Sequence, residues 1–414
     1  MFKLKSFFLF FVVFFQLEFF AQDKFRVMTY NILNYPSKIS STRNPYFKKI
    51  IKDINPDILI VQEMESAAGV ELFHEEVLDS NYKAGEFIDG YDTDNALFYK
   101  DSIFNFIDNV PINTALRNIS QLIIVHKNTN DTLIIFSTHL KASDSETDRQ
   151  KRLEELKKLR EFTDKFFADK NFMLVGDLNI YYSDEPAFQE LTDQSNTGYF
   201  LDPINKIGYW HNNSSYRAIH TQSTRLSNLS DEGSTGGLDD RFDMILVSQS
   251  VIDSGGITYI ADSYKTLGND GNHFNKAISE LPNSSVSDEI ASALYYSSDH
   301  LPVFADFLVE QLTSIKSETK VLDKFSLSQN YPNPFNASTT IKYSIGTVET
   351  QNLASLQLKV YDILGREIKI LINKIQSRGN YEIELDASNL PSGIYFYTLH
   401  VNNQVLLKKM TLLK

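Results

Sequence analysis

The sequence predicts an α/β domain followed by a small all-β domain, and three observations carry that expectation. Short apolar runs of buried-strand type alternate with segments of helical apolar spacing over most of the chain. From Phe325 the text changes to alternating strands separated by the turn signals "NPFN", "LGRE", "SRGN" and "LPSG". A length of 414 residues, 42% of them apolar and 13% aromatic, exceeds one typical domain and supplies at least one large core.

The N-terminus reads as a secretory signal over residues 1–22. Lys3 and Lys5 precede the aromatic-rich run Phe7 to Phe15, which continues through Leu17 to Phe20 and closes at Ala21-Gln22. Gln16 and Glu18 interrupt that run, which falls short of the roughly 20 apolar residues of a spanning helix. No later stretch is long and apolar enough to cross a bilayer, so no transmembrane helix is expected in the mature chain. The catalytic-type domain then spans 23–312. Its rhythm is strand ("FRVMTYNIL"), helix ("NPYFKKIIKDINPD") and strand ("ILIVQEME"), then the strands "NALFYK", "LIIVHK" and "TLIIFSTHL". The clearest helix is expected over about 147–169, with Leu153, Leu156, Leu159, Phe162 and Phe166 on one face and a solvated Arg/Lys face. "FMLVGDLN", "RFDMILVS" and "LPVFADFLV" follow as strands. Residues 253–298, rich in Ser, Asn, Asp and Gly with a helical piece near Asp288 to Tyr296, read as a surface insertion. A polar linker, 313–324, leads to the all-β domain, 325–414.

Charge and cysteine content narrow the function classes. Residues 320–414 hold 11 Lys+Arg against 7 Asp+Glu, so the formal charge of −13 becomes −17 for the rest of the chain. An acidic body gives no long-range attraction for polyanions; any phosphate it handles must be met by local cations or a bound metal. A basic nucleic-acid-coating protein is excluded. With no cysteine, disulfides and thiolate metal sites are excluded as well.

Polar residues recur at the ends of the predicted strands, each following an apolar run: Asn31 in "TYNIL", Glu63 in "VQEME", His139 in "STHLK", Asp177 and Asn179 in "GDLN", Asp243 in "RFDMI", and the pair Asp299-His300 in "SDHLPV". Singly, each is an ordinary turn or a strand leaving the core. Together, carboxylates, amides and imidazoles at six strand ends point to one shared pocket.

In this order, "TYNIL", "QE", "STHLKA", "GDLN", "RFD" and "SDHLPV" resemble the endonuclease/exonuclease/phosphatase superfamily, which includes deoxyribonuclease I and the bacterial sphingomyelinases; the likeness covers about residues 25–310. It implies a four-layer α/β/β/α sandwich of the deoxyribonuclease I kind, with two mixed sheets face to face and the site at one end. It also implies a metal-dependent phosphoesterase. Such chemistry needs charge neutralisation and a positioned water. Glu63 would supply a hard oxygen for Mg²⁺, with Mn²⁺ or Ca²⁺ as alternatives, and Asn31 would orient that carboxylate or coordinate the ion itself. Asp177 would align or deprotonate the attacking water, and Asn179 would donate to phosphate or substrate. By the same resemblance His300 contacts the scissile phosphate or moves a proton, Asp243 fixes its tautomer, and Asp299 faces the metal. His139 matches the second histidine of deoxyribonuclease I and the sphingomyelinases and would protonate the leaving oxygen, with Asp94 as its carboxylate partner. Arg117 matches a phosphate-touching arginine, against the plain alternative of a solvated loop residue.

The tail, at "SLSQNYPNPFNASTTIKYSI", "VYDILGREIKIL" and "LDASNLPSGIYFYTLHVNNQVLLKKM", resembles the type IX secretion C-terminal sorting domain. That implies a β-sandwich read by the secretion machinery and a secreted or cell-surface protein exported across both membranes. The alternative, a carbohydrate-binding module, would use Tyr395 and Tyr397. For the main domain two readings stay open: a nuclease acting on DNA or RNA, and a phosphatase or phosphodiesterase of lipid or inositol phosphates. Loop aromatics such as Trp210 and Tyr216 are candidates either for base stacking or for packing against the sheet.

Overall fold

The computed structural model describes residues 22–37, 40–90, 92–167, 170–253, 256–310, 326–345, 353–363, 366–377, 379–401 and 404–414. The signal segment, apart from Gln22, and the linker therefore lie outside the described residues. The chain divides into two compact units, Met1–Thr313 and Ser314–Lys414.

In chain order the first unit contains β1 (Gln22–Tyr35), α1 (Ser40–Ile54), β2 (Ile58–Met64), α2 (Ala67–Glu76), β3 (Tyr82–Ala84), β4 (Asp94–Lys100), β5 (Phe104–Ile112), β6 (Ile119–His126) and β7 (Thr132–His139). It continues with α3 (Glu146–Phe166), β8 (Phe172–Asp177), α4 (Pro186–Thr192), β9 (Asp243–Val247), α5 (Gln249–Ile252), β10 (Ile257–Tyr259), β11 (Lys265–Thr266), α6 (Asp288–Ser297) and β12 (Val303–Glu310). One sheet runs β10-β12-β1-β2-β4-β3, with β11 on β12; the other runs β5-β6-β7-β8-β9.

Strand alternation sorts the side chains into layers. On β1, Phe25 and Val27 face inward to meet Ile58 and Ile60 of β2, Leu122 and Ile124 of β6, Ile135 of β7 and Val175 of β8 in one core between the sheets. Met28 and Tyr30, with the opposite parity, pack outward on Phe47, Ile50 and Ile54 of α1 and Phe73 of α2. Phe136, Leu174, Met244 and Leu246 face outward from the second sheet onto Leu156 and Leu159 of α3. Three separate apolar clusters thus lie between four layers, as the resemblance implies. Ser145 caps α3, accepting from the Asp148 backbone N–H at 3.2 Å.

Several expectations are corrected. Residues 253–298 are no surface insertion: β10 and β11 extend the sheet along β12, and Leu267, Ile278, Ile290 and Leu294 enter the core beneath α1. Their apolar residues are spaced too widely in polar text to register as periodic. The basic face of α3 is not wholly solvated either. Arg152 is buried, with Nε 2.5 Å from Glu185 Oε1 and Nη1 donating to the carbonyls of Lys141 and Ser143, so it ties the helix to the loop after β7. Trp210 is fully buried, its indole N–H donating to the Ile180 carbonyl at 2.8 Å, which removes it as a stacking platform.

The second unit holds β13 (Ser326–Leu327), β14 (Ser338–Ile345), β15 (Leu353–Asp362), β16 (Glu367–Ser377), β17 (Gly379–Asp386), β18 (Gly393–Val401) and β19 (Gln404–Leu412). They form the sheets β13-β14-β17 and β16-β15-β18-β19. Ile341, Tyr343, Leu358, Val360, Leu385, Leu399 and Met410 share one core. Tyr395 and Tyr397 are buried, and the Tyr397 hydroxyl donates to Ser328 O while accepting from Asn330 N. These tyrosines pack; they offer no carbohydrate-binding face.

The enclosed side chains of Arg241 and Asp202 form a two-pronged ion pair at 2.8 and 2.9 Å that anchors the segment leading into β9. Burial pushes the Asp202 carboxyl up, but Arg241 outweighs it and holds the group below its ordinary value. A carboxyl so depressed contributes stability that is complete above its unfolded-state pKa, about 3.9, and is lost as pH falls through the lower folded-state value. Asp202→Asn leaves the guanidinium uncompensated and is expected to cost about 3–5 kcal/mol in denaturant unfolding, with a shallower acid-side loss of stability than the parent.

Candidate active site

Strand direction gathers the polar residues at one end of both sheets. β1 and β2 run parallel, with Asn31 paired to Gln62 just before a register shift, so Asn31 and Glu63 come together near one end of the first sheet. β7 and β8 are also parallel, with His139 opposite Asp177. Asp243 and the Asp299-His300 pair do not follow apolar runs, contrary to expectation: Asp243 is the first residue of β9, and the pair precedes β12. Because β9 is antiparallel to β8 and β12 to β1, their beginnings fall at the end where β1 and β8 finish.

Asn31 sits at the centre. Its Nδ2 donates to Glu63 Oε1 at 2.9 Å and to Asp177 Oδ2 at 3.1 Å and lies 3.5 Å from His300 Nε2. Its amide oxygen accepts from Leu33 N at 3.0 Å. Of the two roles expected for Asn31, this arrangement matches orienting the carboxylates. Glu63, at φ 63°, has its other oxygen held by Asn34 N at 2.8 Å. Asp177 Oδ1 accepts from Asn179 N at 3.0 Å, and Asn179, at φ 49°, donates from Nδ2 to Leu140 O at 3.2 Å. Two residues after Asp177 the left-handed Asn179 bends the chain back so that its own amide grips the acid, whereas Glu63 is itself left-handed and is gripped by an amide of β1. His139 Nε2 lies 3.6 Å from Asp177 Oδ2 and 3.8 Å from Glu63 Oε1, while His300 Nε2 lies 3.7 Å from Asp177 Oδ2 on its other flank.

His300 Nδ1 is 2.7 Å from Asp243 Oδ2. A carboxylate accepts only, so Nδ1 carries the hydrogen and the tautomer is fixed. Asp299 Oδ2 accepts from Ser234 N at 2.7 Å, whereas Asp299 Oδ1 is buried without a partner.

The charge balance explains what such a site can hold. Burial, then the nearby Asp299 charge, raises the Glu63 carboxyl above its ordinary value. Burial raises Asp177 to about 7, with His300 opposing and Asp243 and Glu63 adding to the rise. Burial lowers His300, but Asp243, Asp177 and Asp299 outweigh it and leave the imidazole well above its usual range. His139 is held low by burial and by the positive charge of Arg117. Crowded acids and the unpartnered Asp299 Oδ1 fit a divalent cation held by Glu63 and Asp299, since magnesium commonly takes only one or two carboxylates and keeps water in its other positions. Among the described residues another group of potential ligands, His211, Asp239 and Asp240, has its donor atoms all within 4.8 Å of one another. There His211 already pairs with Asp240 at 2.6 Å and is largely exposed, so no unsatisfied donor calls for an ion.

One expected partner is not where the sequence reading put it. Asp94 turns its carboxylate to Gly90 N at 2.7 Å, and His139 Nδ1 has no partner. As the first residue of β4, paired to Met64, Asp94 is aimed at the loop before it. Arg117 Nη2 pairs with Asp92 at 2.6 Å, and its influence reaches His139 through space.

Sequence reasoning missed the segment His220–Thr224, "HTQST", which laces the site together. Thr221 accepts Leu301 N at its carbonyl and both Phe242 N and Asp243 N at its hydroxyl. Thr224 N donates to Asp299 O, and the Thr224 hydroxyl donates to Ser298 O. Gln222 reaches His300 and Asp299. Ser298 completes the lacing, its hydroxyl donating to Asn31 O and accepting from His300 N.

A family model for the endonuclease/exonuclease/phosphatase family matches residues 28–300, and one for a secretion system C-terminal sorting domain matches 329–412. No curated protein matches the chain. Similar solved structures include TDP2 of D. rerio complexed with a single-strand DNA product, at 15% identity over 69% of this chain and 98% of that one, TM-score 0.48. An endonuclease/exonuclease/phosphatase family protein of Bacteroides thetaiotaomicron is 16% identical over 70% and 97%, TM-score 0.47. A mannosyl-6-phosphatase of B. thetaiotaomicron VPI-5482 is 17% identical over 68% and 99%, TM-score 0.46.

Mn²⁺ or Mg²⁺ at about 100 times its dissociation constant is expected to stabilise the protein by about 2.7 kcal/mol in thermal unfolding. Glu63→Gln and Asp299→Asn are each expected to remove that metal-dependent increment, read as loss of the Tm difference between the metal-free and metal-loaded protein.

Proposed function

Because this chain belongs to the endonuclease/exonuclease/phosphatase family and hydrolyses phosphate esters, we propose that it is an exported, magnesium-dependent nuclease cutting phosphodiester bonds of DNA or RNA. The observation that carries the reading is the contact of one amide, Asn31 Nδ2, with Glu63, Asp177 and His300 together. It brings a cation ligand, a water-activating acid and a phosphate-facing imidazole within one hydrogen-bonding radius.

Glu63 and Asp299 would hold the divalent cation, which would supply positive charge to offset that of the phosphate. Asp177 orients the attacking water and accepts its proton; its raised pKa of about 7 suits a base working near neutral pH. Asn179 offers its second amide hydrogen to a phosphate oxygen. His300, steadied by Asp243, contacts the scissile phosphate from the other side of Asp177. His139, kept neutral by burial and Arg117, donates a hydrogen bond to the leaving oxygen.

The sorting domain implies handling by the type IX secretion machinery. With the N-terminal signal, this supports export across both membranes to the cell surface or beyond. Among the described residues no helix is long and apolar enough to cross a membrane.

Asp177→Asn and His300→Ala are each expected to abolish ester cleavage with circular dichroism unchanged; turnover retained in either removes this mechanism, and activity surviving EDTA removes the cation. A panel of DNA, RNA, sphingomyelin and inositol phosphates with Mg²⁺, Mn²⁺ and Ca²⁺ tests the substrate: cleavage of nucleic acid supports the proposal, and rapid lipid cleavage beside intact nucleic acid replaces it. Deleting 325–414 is expected to retain the protein in the periplasm, read by fractionation.

A further inference from the structure

Gln222 is neither a strand residue nor a titratable one, yet its side chain spans the two groups of the Asp299-His300 pair. Its Nε2 lies 2.6 Å from His300 Nε2 and 3.2 Å from Asp299 Oδ2. The backbone of Gln222 is pinned on its other side: its N–H donates to Asp240 O at 3.1 Å, and its carbonyl accepts from Asp239 N at 2.9 Å and Asp240 N at 3.0 Å. The amide is therefore presented from a fixed base.

We propose that Gln222 is a positioning residue of this site, which uses one amide group to set both the ring of His300 and the carboxylate of Asp299. The inference rests on the reading of His300 and Asp299 given above. His300 is held at Nδ1 by Asp243 Oδ2, and the Gln222 side-chain amide meets the opposed ring nitrogen, Nε2, at 2.6 Å. A ring gripped at two opposed nitrogens cannot rotate about its Cβ–Cγ bond; a ring gripped at one can.

The same amide, with Ser234 N, occupies Asp299 Oδ2 and leaves Oδ1 as the buried oxygen without a partner. Two donors on one oxygen choose which oxygen of the carboxylate faces the cation. A glutamine serving only to fill space would not place its amide nitrogen against both side chains of the Asp299-His300 pair. Hydrogen-bond partners of this kind, one step removed from the ligand, are worth roughly 10–100-fold in activity or metal affinity.

The test uses the full chain with two variants: Gln222→Met, which keeps the length without the hydrogen bonds, and Gln222→Ala. Hydrolysis of bis(p-nitrophenyl) phosphate with Mg²⁺ is expected to lose about 10–100-fold in kcat in Gln222→Met, with KM within about twofold. A second readout does not depend on turnover. Carbethoxylation of His300 Nε2 by diethyl pyrocarbonate, followed by peptide mass spectrometry, is expected to be several-fold faster in either variant, while labelling of His126 and His400 stays unchanged. Unchanged His300 labelling in both variants overturns the proposal, as does an unchanged kcat in Gln222→Met. Should the parent cleave no phosphoester at all, the functional reading falls by itself, and the labelling rates alone then decide the role of Gln222. If Gln222→Ala fails to fold, the near-isosteric Gln222→Met carries both readouts.

Discussion

The site depends on the reach of Asn31 from one sheet to the other. Glu63 belongs with Asn31 to the first sheet, and Asp177 ends a strand of the second, yet a single amide nitrogen touches both acids. Two stacked sheets lie roughly 10 Å apart, a gap that apolar side chains fill over most of the interface. At the end where the site forms, polar groups replace them. Buried Gln62 joins in: it accepts from Thr29 Oγ1 at 3.1 Å, and its Nε2 lies 3.4 Å from Ser137 Oγ of β7. The sandwich is therefore closed by hydrogen bonds where it must remain reactive and by hydrocarbon elsewhere.

That arrangement carries a cost in burial. Four carboxyl groups share this space, Asp177, Asp243 and Asp299 buried and Glu63 largely so, and solvent shields them little. The raised Glu63 and Asp177 carboxyls and the raised His300 imidazole are two sides of one imbalance: too much negative charge for the donors at hand. A cation would resolve it on the Glu63–Asp299 side, as the imidazole does on the Asp243 side. The overall acidity of the body is irrelevant to this balance, which is settled within a few ångströms.

Much of this was legible in the sequence because it followed strand ends. Apolar runs announce where a strand lies, so Asn31, Glu63, His139, Asp177 and Asp243 announced themselves by adjoining such runs. Strand direction was not legible, which is why Asp243 and Asp299 were placed after strands when they stand before them. The segment His220–Thr224 was invisible for a different reason. It has no apolar periodicity, and its worth lies in backbone groups and hydroxyls that hydrogen-bond residues 20 to 80 positions away. Arg152 was misjudged similarly: on a helical wheel it is one more charge, and only the loop after β7 makes it a buried anchor. Asp94 failed because a carboxylate at a strand end can turn to its own loop as readily as to a neighbouring strand.

The single tryptophan has a practical side. Trp210 is fully enclosed, with the Arg241 guanidinium 5.6 Å from its ring and Phe188 against its edge. Its fluorescence is the optical voice of the first unit alone, since the second has no indole to answer with. Emission moving to the red during denaturation then times the collapse of the sandwich, and any loss of β-sheet ellipticity that is out of step belongs to the tail.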